Sequence, residues 1–182
     1  EKLELMIETV ANRAFDLFME RPQANEYCLN MMDFRTECRC DACTAMERKY
    51  GALSSTIIIF FNRLASKVEA KLGEVGDSRK ETFKLSFYAY YSYDQAPVQV
   101  ETDAKGNLVY SYAPEMVLNK HVVPMYANVN LDLTQAVDSD TNKQHYLTLN
   151  KWKQIASNIH IWLYDIRFRE EGYLMYYNSL NN

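Results

Sequence analysis

Two aspartates each follow a run of apolar residues at the point where a β-strand would end. Asp33 closes the run over residues 26–32, and Asp165 closes the run over residues 159–164. Glycoside hydrolysis requires two carboxyl groups about 5–9.5 Å apart, one acting as acid and the other as base or nucleophile. Barrel enzymes place such groups just past the C-terminal ends of their strands. Asp33 and Asp165 are therefore our candidate catalytic pair, although each also fits a loop cap or a solvated acid.

Three cysteines form the motif Cys-x-Cys-x-x-Cys shortly after Asp33, and the fourth cysteine, Cys28, lies in the preceding apolar run. The spacing of Cys38, Cys40 and Cys43 predicts that their thiols lie close together and fix this loop. A disulfide, unpaired thiols and a metal ion all agree with the spacing. The chain has three histidines, none of them at ligand spacing from the motif: His121, His145 and His160. We therefore expect structural cysteines with no redox role, no metal and no cofactor.

Aromatic and polar side chains alternate with aliphatic ones along the strand-like runs. Because successive side chains of a strand point to opposite faces, one face of the sheet is predicted to carry Tyr, Trp, His, Asn and Ser. On the third strand this interpretation puts Tyr126 and Asn128 on the polar face and Val123, Met125 and Ala127 on the aliphatic face. The polar face suits a ligand pocket, but it equally suits a core in which hydroxyl groups are paired locally. The candidate binding residues on it are Tyr88, Tyr90, Asn128, Trp162 and Tyr164.

Strands and helices alternate along the chain. Apolar stripes at three- and four-residue spacing predict helices over residues 3–18, 54–73 and 144–157, with a short helix that is capped by Asp41 and runs to Tyr50 and another in the tail. Strands are predicted at 26–32, 83–90, 121–127 and 159–164, and Ser54 or Ser55 as the N-cap of the long helix. A turn-like segment over 103–107, flanked by short β-prone runs, predicts a small inserted hairpin.

This order predicts a parallel sheet of βαβ units, since parallel neighbours need a crossover that is usually helical. An open doubly wound sheet and part of an eight-stranded barrel both fit. No Gly-rich phosphate loop follows any strand, which removes the best evidence for nucleotide binding. A face rich in aromatic and polar residues is natural for a barrel lumen that opens into a pocket.

Composition indicates an ordinary soluble globular protein forming a single domain over residues 1–182. The net charge is −4, with 20 basic and 24 acidic residues and no basic block, so neither nucleic acid nor a membrane surface is an expected partner. No apolar run approaches the roughly 20 residues of a membrane-spanning helix. The chain starts at Glu1 rather than Met, which agrees with its being cut from a longer one.

Several segments together resemble the bacterial domain-of-unknown-function family 4838. They are Asp33 with the motif Cys38-Arg39-Cys40-Asp41-Ala42-Cys43, then Gly51-Ala52-Leu53-Ser54 and Phe61-Asn62, then Phe87-Tyr88-Ala89-Tyr90 with Ala96-Pro97, and finally residues 152–164, which read WKQIASNIHIWLY. The resemblance covers most of the chain and implies a segment of a glycoside-hydrolase-like (β/α)-barrel, often found in exported proteins. At Leu163, where the family pattern leads us to expect an acid, the sequence departs from it.

The predicted fold class is therefore α/β, a parallel (β/α)-barrel segment amounting to about half of a TIM barrel with a small inserted β-hairpin. A closed barrel needs eight strands and roughly 250 residues. We expect the four strands here to be completed by the remainder of a longer barrel or by a homodimer.

The resemblance implies carbohydrate as the partner, with glycan binding or hydrolysis as the function, so the chain is a candidate glycoside hydrolase. A non-catalytic carbohydrate-binding or structural module is the alternative. An exported location, in the periplasm or at the cell surface, follows from the resemblance alone.

Overall fold

The computed structural model describes residues 2–29, 37–128 and 130–164. In chain order its helices and strands are α1 (Lys2–Glu20), β1 (Glu26–Cys28), α2 (Asp41–Tyr50), α3 (Ser54–Glu74), β2 (Lys84–Ala89), β3 (Gln99–Thr102), β4 (Leu108–Ser111), β5 (Val122–Ala127), α4 (Lys143–Ile155) and β6 (His160–Trp162). The helix predicted in the tail lies outside the described residues. No helix in the described ranges has both the length and the apolar character needed to cross a lipid bilayer.

Strands β1, β2, β5 and β6 form one parallel sheet in which neighbours in space follow chain order. This order is that of a barrel wall rather than of a doubly wound sheet, and it confirms the predicted (β/α)-barrel segment. Strands β3 and β4 form the predicted antiparallel hairpin. The hairpin lies in the connection from β2 to β5, whose residues are all described and contain two 3₁₀ turns but no α-helix.

The sheet curls into a half-barrel, as a contact between its two edge strands demonstrates. Glu26 on β1 and His160 on β6 are three strands apart, which is about 14 Å in a flat sheet. Their side chains nevertheless meet, with Glu26 Oε1 3.3 Å from His160 Nδ1. Both side chains therefore project from the concave side of the sheet, which we call the luminal face. The luminal strand residues are Glu26, Cys28, Lys84, Ser86, Tyr88, Val123, Met125, Ala127, His160 and Trp162.

Helices α1 and α3 cover the opposite, convex face and form the main core with it. Most of the stripe residues are buried, among them Phe18 on α1 and Ile58, Phe61 and Leu64 on α3, whereas Leu3 and Met6 near the start of α1 are exposed. Phe61 meets Phe87 of β2 with ring centroids 4.8 Å apart. Each large side chain buried in this way stabilises the fold by about 1.5–3 kcal/mol, which keeps the sheet rigid beneath its C-terminal rim.

Strand β5 faces the opposite way from our prediction. The register pairs Phe87 with Pro124 and Ala89 with Tyr126, so Pro124 and Tyr126 belong to the convex face. Val123, Met125 and Ala127 are luminal instead. The prediction was wrong because almost every residue of β5 is buried, whichever face it points to. Residue polarity cannot identify the face of a strand that is covered on both sides.

The starts of two helices also differ from the prediction. Leu53, not Ser54 or Ser55, is the N-cap of α3, and no side chain caps that end. Ser54 is buried and donates its hydroxyl hydrogen to the backbone carbonyl of Gln95, which ties the helix to the segment before the hairpin. Helix α2 starts at Asp41 after an N-cap at Cys40, and it ends as predicted before Gly51.

Candidate functional site

A pocket of about 470 Å³ opens at the C-terminal ends of β2 and β5. This is the rim at which barrel enzymes carry their functional groups, and the volume suits a small ligand. Aromatic, carboxyl, amide and hydroxyl groups line it together. The lining residues are Glu37, Tyr90, Tyr91, Ser92, Asp94, Ala127, Asn128 and Asn130.

Tyr90 and Tyr91 form an aromatic pair directly after β2. Their ring centroids are 3.9 Å apart, with the planes tilted by 46°. Tyr91 has φ +49°, a left-handed conformation that costs a residue with a side chain about 1–2 kcal/mol. It keeps this conformation with its side chain half exposed at the pocket. Such strain persists where the surrounding structure enforces it and is concentrated at functional sites.

The hydroxyl group of Tyr90 faces a network of other tyrosines. Burial raises the pKa of Tyr90, as do side-chain hydrogen bonds with Tyr91 and Tyr164. Tyr90 is therefore neutral at physiological pH and can donate a hydrogen bond. Tyr164, which follows β6, thus joins the far edge of the sheet to the rim of the pocket.

Asp94 is positioned by a fully buried tryptophan on α4. Trp152 Nε1 donates a hydrogen bond of 2.7 Å to the backbone carbonyl oxygen of Asp94. A 3₁₀ turn over Tyr91–Tyr93 connects β2 to this point and directs the carboxyl group toward the pocket. Burial raises the pKa of Asp94 above the usual value for an aspartate, although hydrogen bonds with Gln95 and the electrostatic influence of the nearby His145 oppose this rise.

Glu37 is the second carboxyl group in the pocket lining, and its environment has the opposite effect. The Oε1 atom of Glu37 accepts hydrogen bonds from Arg39 Nη2 at 2.8 Å and from Ser92 Oγ at 3.0 Å. The pKa of Glu37 is lowered by its own backbone N–H and then by Arg39 and Ser92. Its side chain is only 13% exposed, so it is held in place as a carboxylate.

Asn128 lies directly after β5 on the far side of the pocket from Glu37. Its Oδ1 accepts the backbone N–H of Asn130 at 2.8 Å, and its Nδ2 donates to the hydroxyl oxygen of Tyr126 at 3.3 Å. Tyr126 is buried, which raises its pKa to about 12. The neutral Tyr126 hydroxyl therefore helps to orient Asn128 at the rim.

A second aromatic pair lies on the luminal face, beside the pocket but outside its lining. Tyr88 and Trp162 meet edge to face with ring centroids 5.5 Å apart, and Trp162 is 45% exposed. Burial raises the pKa of Tyr88. Beneath them, Ser86 and Val123 form a fully buried floor. The luminal face therefore offers a partly exposed indole next to the pocket.

The three cysteines of the motif meet at the start of α2. Their sulfur atoms all lie within 4.8 Å of one another, as the spacing predicts, and no disulfide joins them. The backbone N–H groups of Cys43 and Ala42 donate to Cys40 Sγ, and these bonds, with the neighbouring thiols, lower the pKa of Cys40. Burial and the neighbouring thiols raise the pKa of Cys43 to about 12. Whether these cysteines are structural stays a prediction.

The structure brings together part of the predicted site. Tyr90 and Asn128 line one pocket, and Tyr88 and Trp162 pack against each other beside it. Asp33 and Asp165 lie outside the described residues, so their role as a catalytic pair stays a prediction.

Sequence reasoning missed Glu37, Tyr91 and Asp94. Asp94 lies beside the predicted hairpin rather than at the end of a predicted strand, yet its position five residues after the end of β2 was a usable signal. Glu37 lies four positions after Asp33, and nothing in its spacing distinguished it from the other acidic residues of the chain.

Comparison with known proteins identifies the family of the chain. Residues 4–176 match the family described as a domain of unknown function, DUF4838. No curated protein and no solved structure matches the chain. Because the match spans nearly the whole sequence, this chain belongs to the DUF4838 family.

Proposed function

We propose that this chain binds carbohydrate in the pocket at the C-terminal ends of β2 and β5. The observation that carries the proposal is the half-exposed ring of Tyr91, held in a strained conformation among polar groups that line the same pocket. An aromatic face complements the apolar C–H face of a pyranose ring. Ser92, Asn128 and Asn130 supply hydroxyl and amide groups that can pair with sugar hydroxyls.

The charges of the pocket favour a neutral glycan. Among the residues that the structure describes, its lining contains two carboxyl groups, Glu37 and Asp94, and no lysine or arginine. An acidic sugar would meet like charge, and the neighbouring Arg39 is already ion-paired with Glu37 and Glu47, so its binding is unfavourable in a partly desolvated site. A neutral oligosaccharide meets no such repulsion, and Trp162 on the adjoining luminal face offers its next ring a second aromatic surface.

Calorimetric titration of the chain with neutral and uronic-acid oligosaccharides tests the proposal. We expect at least one neutral oligosaccharide to bind the wild type, and Tyr91→Ala and Asn128→Ala to weaken that binding about five- to tenfold, because one hydrogen bond or aromatic contact contributes about 1–1.5 kcal/mol. Tyr112→Ala is the matched control, since Tyr112 is similarly exposed at 41% but lies outside the pocket lining. Equal affinity in all three variants would contradict the proposal.

Hydrolysis of the bound glycan is a second candidate function, favoured by the two carboxyl groups in one pocket. Asp94 is the candidate general acid, because a buried carboxyl group keeps its proton to higher pH. Glu37, ion-paired with Arg39, is the candidate base or nucleophile among the described residues. Asp33 and Asp165 remain the pair proposed from the sequence.

Turnover separates an enzyme from a non-catalytic binding module. In an enzyme, Asp94→Asn should keep carbohydrate affinity and abolish product formation, because the amide has the shape of the acid without its transferable proton. Binding without any product in the wild type would identify a carbohydrate-binding module. Two further proposals concern location and assembly. Localisation of the parent protein would test whether it is exported. Light scattering would test whether a second copy completes the barrel, rather than the remainder of a longer chain.

A further inference from the structure

The three-cysteine cluster at the start of α2 is the densest group of metal-binding side chains among the described residues. Cys38, Cys40 and Cys43 each present one sulfur atom to the same small volume. We propose that these three thiolates bind a single thiophilic divalent cation of the zinc type. This inference is independent of the proposed carbohydrate site and departs from our expectation, from the sequence, of no metal.

The distances between the sulfur atoms suit tetrahedral zinc coordination. Zinc–sulfur bonds are about 2.3 Å long, which places the sulfur atoms of a tetrahedral site about 3.8 Å apart. The three sulfur atoms are already within 4.8 Å of one another, so each needs to move by less than about 1 Å. Three protein ligands leave a fourth position for water or another small ligand.

The cluster lies against the backbone at the start of α2. Two backbone N–H groups, those of Ala42 and Cys43, point at Cys40 Sγ. The cluster also lies at the N-terminus of the ten-residue helix α2, where the helix dipole favours negative charge. Hydrogen bonds of this kind orient metal ligands and tune their basicity.

A cation accounts for all three thiols, whereas a disulfide accounts for only two. Pairing any two of them would leave the third at contact distance from the bond, where thiol–disulfide exchange is easy. Cys38 and Cys40 are exposed, so a cation can enter from solvent. The all-sulfur ligand set selects zinc or a softer ion over magnesium and calcium, which require oxygen ligands.

The bound cation would also hold the wall of the pocket. Glu37 immediately precedes the first ligand, and its carboxylate is bound by Arg39, which lies between Cys38 and Cys40. Arg39 also contacts Glu47 of α2 at 2.8 Å, so the loop is already tied to that helix by charge. A cation on the three sulfur atoms adds a second, shorter cross-link.

Cobalt titration of the reduced, metal-free chain tests the site, because Co²⁺ bound by thiolates gives intense charge-transfer absorption. We expect one equivalent to bind and to be displaced by Zn²⁺. Loss of a group that only supports a metal ligand typically costs about 10–100-fold in metal affinity. Cys40 and Cys43 are themselves proposed ligands, so Cys40→Ser and Cys43→Ser should each lower the affinity by about 100-fold or more. Cys28→Ser is the control, since Cys28 lies on β1 and outside the cluster.

Circular dichroism of each variant checks that the fold is kept. Cys38→Ser gives a second test because it changes an exposed position before α2 begins. Three results would each overturn the proposal: no cobalt band in the reduced wild type, a band that survives Cys40→Ser unchanged, or a loss of the band in Cys28→Ser equal to that in the cluster variants. A disulfide between two of the three cysteines in protein purified without air would do the same.

Discussion

Replacing Tyr91 by glycine and by alanine tests whether the pocket contains stored backbone strain. Both replacements remove the ring, so their difference in stability isolates the effect of φ +49° at this position. At an ordinary loop position, alanine is the more stabilising of the two by about 0.4–1 kcal/mol, because glycine has more conformational freedom in the unfolded chain. At a left-handed position the order reverses, since alanine carries a Cβ that this conformation disfavours.

The magnitude follows from two opposing effects. The left-handed conformation costs alanine about 1–2 kcal/mol. The greater entropy of glycine in the unfolded chain lowers the stability advantage of the glycine variant by about 0.5–1 kcal/mol. We therefore expect Tyr91→Gly to unfold with a free energy about 0.5–1 kcal/mol larger than that of Tyr91→Ala, while both lose carbohydrate affinity.

Urea unfolding followed by far-ultraviolet circular dichroism measures this difference. The same pair of substitutions at Tyr112 is the control, because Tyr112 is exposed and is not among the described residues with positive φ. There, alanine should be the more stable. An alanine variant at least as stable as the glycine variant at position 91 would refute the claim of strain.

Three further predictions concern groups that support the pocket. Trp152→Phe should lower the free energy of unfolding by about 2–3 kcal/mol, because it removes one hydrogen bond to Asp94 and leaves a small cavity. It should also weaken carbohydrate binding. Urea unfolding measures the first effect, and calorimetric titration measures the second. Gly51→Ala should cost about 1–2 kcal/mol in the same assay, because Gly51 has φ +80° and an added Cβ would collide with Gln99 Nε2; an unchanged urea midpoint would contradict it. Because the pKa of Asp94 is raised in the folded state, its ionisation destabilises the fold as pH rises from about 4 through the folded pKa. The free energy of unfolding of Asp94→Asn should therefore increase relative to that of the wild type as pH rises. If the difference between the two free energies is the same at about pH 4 and about pH 8, the prediction is wrong.

Periodicity predicted most of the scaffold. The stripes of α1, α3 and α4 are strong helical signals, and Phe18, Leu64 and Trp152, which belong to them, are buried. Helix ends were predicted less well, because Ser54 bonds to Gln95 rather than to its own helix. A tertiary partner at such a position outweighs local capping preference.

The candidate site was predicted only in part because it depends on long-range geometry. Tyr90 and Asn128 were found from their place at strand ends, which the sequence reveals directly. The orientation of β5 could not be found, because Tyr126 and Val123 are both buried and only the pairing with β2 tells their faces apart. The position of Asp94 depends on Trp152, 58 residues later in the chain.

Calorimetric titration of one neutral oligosaccharide into the wild type and Tyr91→Ala tests the central claim most directly. We expect binding by the wild type at one site and an affinity about five- to tenfold lower in Tyr91→Ala, with that of Tyr112→Ala unchanged. Binding that is indifferent to Tyr91, or no binding of any oligosaccharide in the panel by the wild type, would contradict it.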